Sequence, residues 1–133
     1  MLYEYRLETP KEGFIDITDE VRDACRQSGV FDGMLTVYCP HTTAGVTINE
    51  NTDPDVKNDL LLALNKTYPD RAEFRHSEGN SAAHLKASVI GSSVTVMIDD
   101  GELVLGKWQA VYFTEFDGPR SRRFTVKVIG NRG

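Results

Sequence analysis

SVTVMIDDGELVLGKWQAVYFTEFDGPRSRRFTVKVI, residues 93–129, is the stretch whose reading decides the fold. Val, Thr, Ile, Tyr and Phe crowd SVTVMI (93–98), LVL (103–105), QAVYFTEF (109–116) and RFTVKVI (123–129), and the DDGE turn separates the first two runs. Such side chains fit a pleated, half-buried surface, so this third of the chain is expected to be a succession of strands. Working outward, MLTVYC (34–39) and VTINEN (46–51) read as two more strands, interrupted by HTTAG, whose glycine signals a bulge or a close backbone approach. LYEYRLE (2–8) alternates with period two, and FIDI (14–17) could pair with it after the PKEG turn, as an opening hairpin.

Helices fall between these strand groups. Thr18 or Asp19 can cap a helix running to about Ser28, with Val21, Ala24 and Cys25 on its apolar stripe and Gly29 ending it. Asp53-Pro54 is a helix start: the carboxylate accepts from free amides and the proline sits where its missing N–H is harmless. Val56, Leu60, Ala63 and Leu64 then share a face up to Tyr68-Pro69. In GNSAAHLKASVIG (79–91), Asn80 or Ser81 can cap a short helix closed by Gly91. Seven or eight strands with three clustered helices make an α+β fold, built on a largely antiparallel sheet or β-sandwich, and no linker or repeat divides residues 1–133.

At 133 residues the chain is long enough for one core without disulfide or metal staples. Fifteen basic against 20 acidic side chains, net charge −5, argue against a general nucleic-acid binder, which needs surplus cations to displace counterions from phosphates. Cys25 and Cys39 form no C-x-x-C pair and read as small buried hydrophobes in a reducing compartment rather than as a disulfide. The start, MLYEYRLETPKEGF, has no apolar run of signal-peptide length, and no membrane-spanning stretch follows, so a soluble cytoplasmic protein without membrane partners is expected.

All three histidines, His41, His76 and His84, stand in polar, glycine-bearing segments. Three imidazoles with one open position form a known catalytic zinc arrangement, but the eight-residue spacing from His76 to His84 is not the i, i+4 pair of one helical face. Ligation and ordinary capping or packing both remain readings of the spacing. Glu50 and Asn51, in NENTD, are either turn chemistry or, for Glu50, a general acid or base. In TEFDGPRSRR, Glu115 and Asp117 precede a Gly-Pro turn and Arg120, Arg122 and Arg123 follow it, which suits a phosphate site or a hairpin tip with cross-strand ion pairs. Trp108 reads as a core or interface residue, and Cys39, two residues before His41, invites a thiol nucleophile that nothing else supports.

Taken together, HTTAGVTINENTDPDV (41–56), HSEGNSAAHLKASVIG (76–91) and GELVLGKWQAVYFTEFDGPRSRRFTVKVIG (101–130) resemble the YjbQ-like family, also described as secondary thiamine-phosphate synthases. The likeness runs over essentially the whole chain, with mild departures at Lys107, where threonine is usual, and Ile98, where proline is frequent. The resemblance implies a β-sandwich of two sheets, a homotrimer, and a weak activity joining hydroxymethylpyrimidine diphosphate to thiazole phosphate with loss of pyrophosphate. It further implies that His41, His76 and His84 gather in one cleft and hold a divalent metal, zinc by its imidazole set or magnesium with a diphosphate substrate. Glu50 and His84 become candidate catalytic residues. Asn51, Asn80, Glu115, Asp117, Arg120 and Arg122 become candidates for holding a small anionic or phosphorylated metabolite. The same residues would serve a metal-dependent hydrolase of a phosphate ester or amide, or a trimer that binds a metal or anionic metabolite without turnover.

Overall fold

In the computed structural model, which describes residues 1–133, the run 110–116 is buried on both of its faces, and that fact organises the molecule. The elements, in chain order, are β1 (Leu2–Glu8), β2 (Gly13–Asp16), α1 (Thr18–Ser28), β3 (Asp32–Tyr38), β4 (Ala44–Glu50), α2 (Pro54–Thr67), α3 (Ser81–Ile90), β5 (Ser93–Asp99), β6 (Glu102–Leu103), β7 (Gln109–Glu115) and β8 (Ser121–Asn131). A five-stranded sheet has the order β1-β8-β3-β5-β6 and a three-stranded sheet the order β2-β7-β4, every pairing being antiparallel. β7 is central in the smaller sheet. One face of that sheet packs on the large sheet, and Leu60, Leu61 and Leu64 of α2 cover Phe14, Ala110 and Tyr112 on the other. The alternating strands β1 and β3 instead belong to the large sheet, whose outer face is open.

The main core lies between the sheets. Leu35, Val37, Phe124, Val126 and Val128 of the large sheet meet Val46, Val111 and Phe113 of the small one, and Val21, Ala24 and Cys25 of α1 join the same cluster. Both cysteines are buried and free, as the sequence suggests. Cys39 is part of this core and burial raises its thiol pKa, which removes the nucleophile reading.

The opening hairpin does not form. β1 pairs with β8 (Tyr5↔Phe124) and β2 with β7 (Phe14↔Thr114), so the two strands lie in different sheets. The reason is the β7–β8 connection, which itself crosses from the small sheet to the large one; residues 9–12 run alongside it and are tied to it by Thr9 N–H donating to Arg120 O (2.9 Å) and Gly118 N–H donating to Lys11 O (2.8 Å). A Cβ at Gly118 would collide with the carbonyl of Pro10, so the two crossovers touch only because that residue is glycine.

Caps follow the sequence in part. Asp53 accepts from Asp55 N–H at 2.9 Å with Pro54 in the first turn, as expected. At α1 the capping carboxylate is Asp16, not Thr18 or Asp19: it accepts from both the N–H and the hydroxyl of Thr18. Gly45 fulfils the close-approach reading of HTTAG, since its Cβ would stand 2.5 Å from the carbonyl of Gly91, where α3 ends against β4. Register along β4 and β7 is unbroken, so there is no bulge.

Candidate functional site

Four polar segments meet where the sheet crossovers leave the sandwich: 40–43 between β3 and β4, 76–80 between α2 and α3, the first turn of α3, and 117–122 at the start of β8. Together they form an open cleft of about 350 Å³ whose lining is polar apart from Pro40. His41, His76 and His84 all line it, together with Asn80, Asp117, Arg120 and Arg122 from the sequence-predicted set. A second recess, lined by Ser88 and Ser92, opens from it past His41, Thr42 and His84.

Each imidazole is placed by a different device. β3 stops pairing with β8 at Tyr38↔Thr125, so the backbone of β8 before that point has no strand neighbour on that side. His41 fills the gap: Arg123 N–H donates to its Nε2 at 3.0 Å. Burial, followed by the Arg122 charge, holds the His41 pKa below its ordinary value, and the neutral ring is the form that can accept this bond. His84 projects from α3 and stacks edge-on against His76, with ring centroids 5.3 Å apart. His76 Nε2 lies 3.9 Å from a Glu78 carboxylate oxygen.

The arginines are committed more deeply than an open phosphate fork would be. Arg122 is buried and makes a bidentate pair with fully buried Glu115, Nε to Oε1 at 2.8 Å and Nη2 to Oε2 at 2.6 Å, while Nη2 also donates to Thr43 Oγ1. Thr9 Oγ1 and Asp117 N–H donate to the same carboxylate. Burial alone would raise the Glu115 pKa; the bonds from Arg122, Thr9 and the Asp117 amide outweigh it and hold the carboxyl low. Glu115 therefore positions Arg122 from beneath the cleft and does not line it. Arg120 donates from Nε to Asp117 O (2.8 Å) and from Nη2 to Asp117 Oδ2 (3.0 Å). In both guanidiniums Nη1 takes no part in these bonds, and both arginines line the cleft.

Asn80 occupies the N-cap position of α3 but makes no side-chain cap; its amide donates to Asp117 Oδ2 at 2.8 Å. The cap reading thus gives way to a bond across the cleft wall. Glu50 and Asn51 are not brought to the cleft within one chain. Strand β4 carries them six or seven residues beyond Ala44, about 20 Å of extended backbone. There Asn51 Nδ2 donates to Asp16 Oδ2. Trp108 is half-exposed under Lys107, so it is no core residue. Thr42 and Thr43, missed as site residues, were signalled only by the two hydroxyls following His41.

For a metal, the donor chemistry fits at two ligands. His76 and His84 stand side by side and offer imidazole donors of the kind a borderline ion such as zinc takes, whereas no group of three His, Cys, Asp or Glu side chains converges on one point. The third imidazole, His41, lines the same cleft with Nε2 engaged by Arg123. An oxygen-rich magnesium set is absent too, Asp117 being tied to Asn80 and Arg120.

No helix of the chain is long and apolar enough to cross a membrane. Residues 3–131 match the family model described as UPF0047 protein YjbQ-like. UPF0047 protein MJ1081 of Methanocaldococcus jannaschii is 50% identical over 133 residues, covering 99% of this chain and 96% of that one. UPF0047 protein YugU of Bacillus subtilis is 50% identical over 123 residues, 92% of this chain and 93% of its own. Among solved structures, a YjbQ/UPF0047-family protein of Clostridium acetobutylicum superposes with a TM-score of 0.93 at 56% identity, covering 96% of this chain and 99% of the other. A protein of Sulfolobus solfataricus described as YbjQ-like reaches the same TM-score of 0.93 at 27% identity, with 98% of this chain and 97% of the other covered. Sequence and fold agree from end to end, and the chain belongs to the UPF0047 YjbQ-like family.

Proposed function

We propose that the histidine cleft binds the phosphate of a small phosphorylated metabolite and supports a weak thiamine-phosphate synthase reaction, in which hydroxymethylpyrimidine diphosphate is coupled to thiazole phosphate and pyrophosphate leaves. The observation that carries the reading is the convergence of three histidines and two arginines, from four separate segments, on one cleft whose lining is polar apart from Pro40. In such a coupling, negative charge grows on the departing oxygens. Arg120 and Arg122 meet it with their Nη1 groups, Thr42 and Asn80 orient the phosphate, and His84, beside His76, carries the proton that the leaving oxygen takes up.

One feature of the site favours a divalent ion as well. Asp117 and Glu115 already offset the two guanidinium charges, so an incoming diphosphate needs positive charge beyond the arginines. His76 and His84 would hold that ion, with His41 as the third ligand once its ring releases Arg123. When bound, zinc supplies Lewis acidity toward phosphoryl oxygens or activates water, and the second of these would make the chain a hydrolase of phosphate esters or amides.

A cytoplasmic homotrimer belongs to the same proposal. Met34, Met97 and Ile129 are cross-strand neighbours on the open face of the large sheet and are 46%, 60% and 58% exposed, which suits contact with another copy. Only a neighbouring chain could bring a Glu50 to the cleft as a proton-handling group.

Calorimetric titration with inorganic diphosphate tests the phosphate reading. Arg120→Ala, which removes a half-exposed side chain, is expected to weaken binding about tenfold or more. Equal affinity in both proteins would remove the arginines from the reading.

A further inference from the structure

His84 and Lys86 are two residues apart on α3 and therefore face nearly opposite sides of the helix. His84 serves the cleft. Lys86 points into a different recess of about 330 Å³, bounded by α2, α3 and the β1–β2 crossover. Asn80 and Asp117 line both spaces and form the wall between them.

A lysine in this position is unusual. Its residue exposure is only 7%, and no carboxylate lies within 4.0 Å of its ammonium, since none of the chain's ion pairs includes it. The ammonium makes one of the three hydrogen bonds it can donate, to Asn65 Oδ1 at 2.6 Å, and stands 5.7 Å from the Phe116 ring centroid. A buried cation is ordinarily matched by an anion, because desolvation is not recovered from one amide and one ring.

The acidic groups of the recess each accept hydrogen bonds from groups other than Lys86. Both Glu12 oxygens accept from Asn65 Nδ2, Asp70 accepts from Ala82 N–H, and Asp117 from Asn80 and Arg120. Lys11, on the rim, is exposed and makes no side-chain hydrogen bond, which adds a second uncommitted cation. The wall contributes a buried acceptor without a partner, Asn80 Oδ1.

We propose that this recess is a second anion site, in which Lys86, helped by Lys11, receives the phosphate or carboxylate of a second small ligand bound next to the histidine cleft. A hydroxyl or amino group on that ligand would satisfy Asn80 Oδ1. The two sites share a wall, so two anionic molecules, or two ends of one, are held side by side. The second site does not depend on turnover in the first.

The test is an amide NMR titration of the full chain with inorganic phosphate and, separately, with acetate, at constant ionic strength. Saturable shifts are expected at Glu12, Asn65 and Ala83 with at least one of the two anions. In Lys86→Met they should need about tenfold more ligand or more. Lys86→Arg should retain them. The proposal is overturned if the wild-type amides do not shift with either anion, if chloride shifts them equally, or if Lys86→Met saturates at the wild-type concentration. Because the wild-type titration can overturn it alone, the test stands even if Lys86→Met fails to fold. Loss of shifts around His41 and Arg120 with those at Asn65 intact would count against the histidine cleft and not against this site.

Discussion

Glu115 shows how much one side chain can decide here. In the sequence it is one more acidic residue before a Gly-Pro turn; in the molecule it is fully buried and bonded to Arg122, Thr9 and the amide of Asp117. Removing one partner of such a pair leaves an uncompensated buried charge. Glu115→Gln is therefore expected to cost about 3–5 kcal/mol, read as a lower denaturant midpoint. The pH dependence follows from the direction of its shift. The folded-state carboxyl sits below its ordinary value of 4.5, so as pH falls the unfolded chain takes up the proton first. The contribution of Glu115 is complete above that value and is lost as pH falls through the lowered folded pKa. Wild-type stability should consequently drop below about pH 4.5, and Glu115→Gln should show a flatter acid limb in the same denaturation series. Residue type drew attention to His41, His76, His84, Asp117, Arg120 and Arg122, the family resemblance added Asn80 and implied one cleft, and all of them line one. What spacing could not convey is which charges are neutralised from below, nor that a lysine two residues after His84 is buried, because a helical lysine looks the same in sequence whether it meets solvent or a recess.

At the scale of elements, the three helices and most strands were legible because their signals are local: Asp53-Pro54 for α2, Gly29 and Gly91 as stops, and β-branched runs for the strands. The β1–β2 hairpin that the turn between them suggests does not form, because proximity along the chain does not set pairing. The pairing partners of these strands are β8 and β7, on the order of 100 residues away, and they are fixed where two crossovers lie against each other. That contact predicts its own sensitivity. Gly118→Ala would drive a methyl group into the Pro10 carbonyl, forcing the crossovers apart, and should destabilise the chain by about 1–3 kcal/mol in chemical denaturation. Since 117–122 also carries Asp117, Arg120 and Arg122 into the cleft, the same substitution should weaken diphosphate binding in the fraction that remains folded.

For the whole molecule, the acidic balance of −5 argues against a general nucleic-acid partner, and the cleft gives that balance a local meaning. Its guanidiniums are each matched by a carboxylate, so selectivity for a phosphorylated ligand must come from placed donors, imidazoles and any bound ion rather than from surplus charge. The two-sheet sandwich holds those donors rigidly: every cleft segment is anchored to a strand end or to α3, and α3 is clamped to β4 by the Gly45–Gly91 approach. The most direct measurement is pyrophosphate release on mixing hydroxymethylpyrimidine diphosphate with thiazole phosphate, for wild type and His84→Ala of equal metal content and confirmed fold. The account predicts release by wild type only when both substrates are present, and a fall of about a hundredfold or more in His84→Ala. The same low rate in both proteins would contradict it.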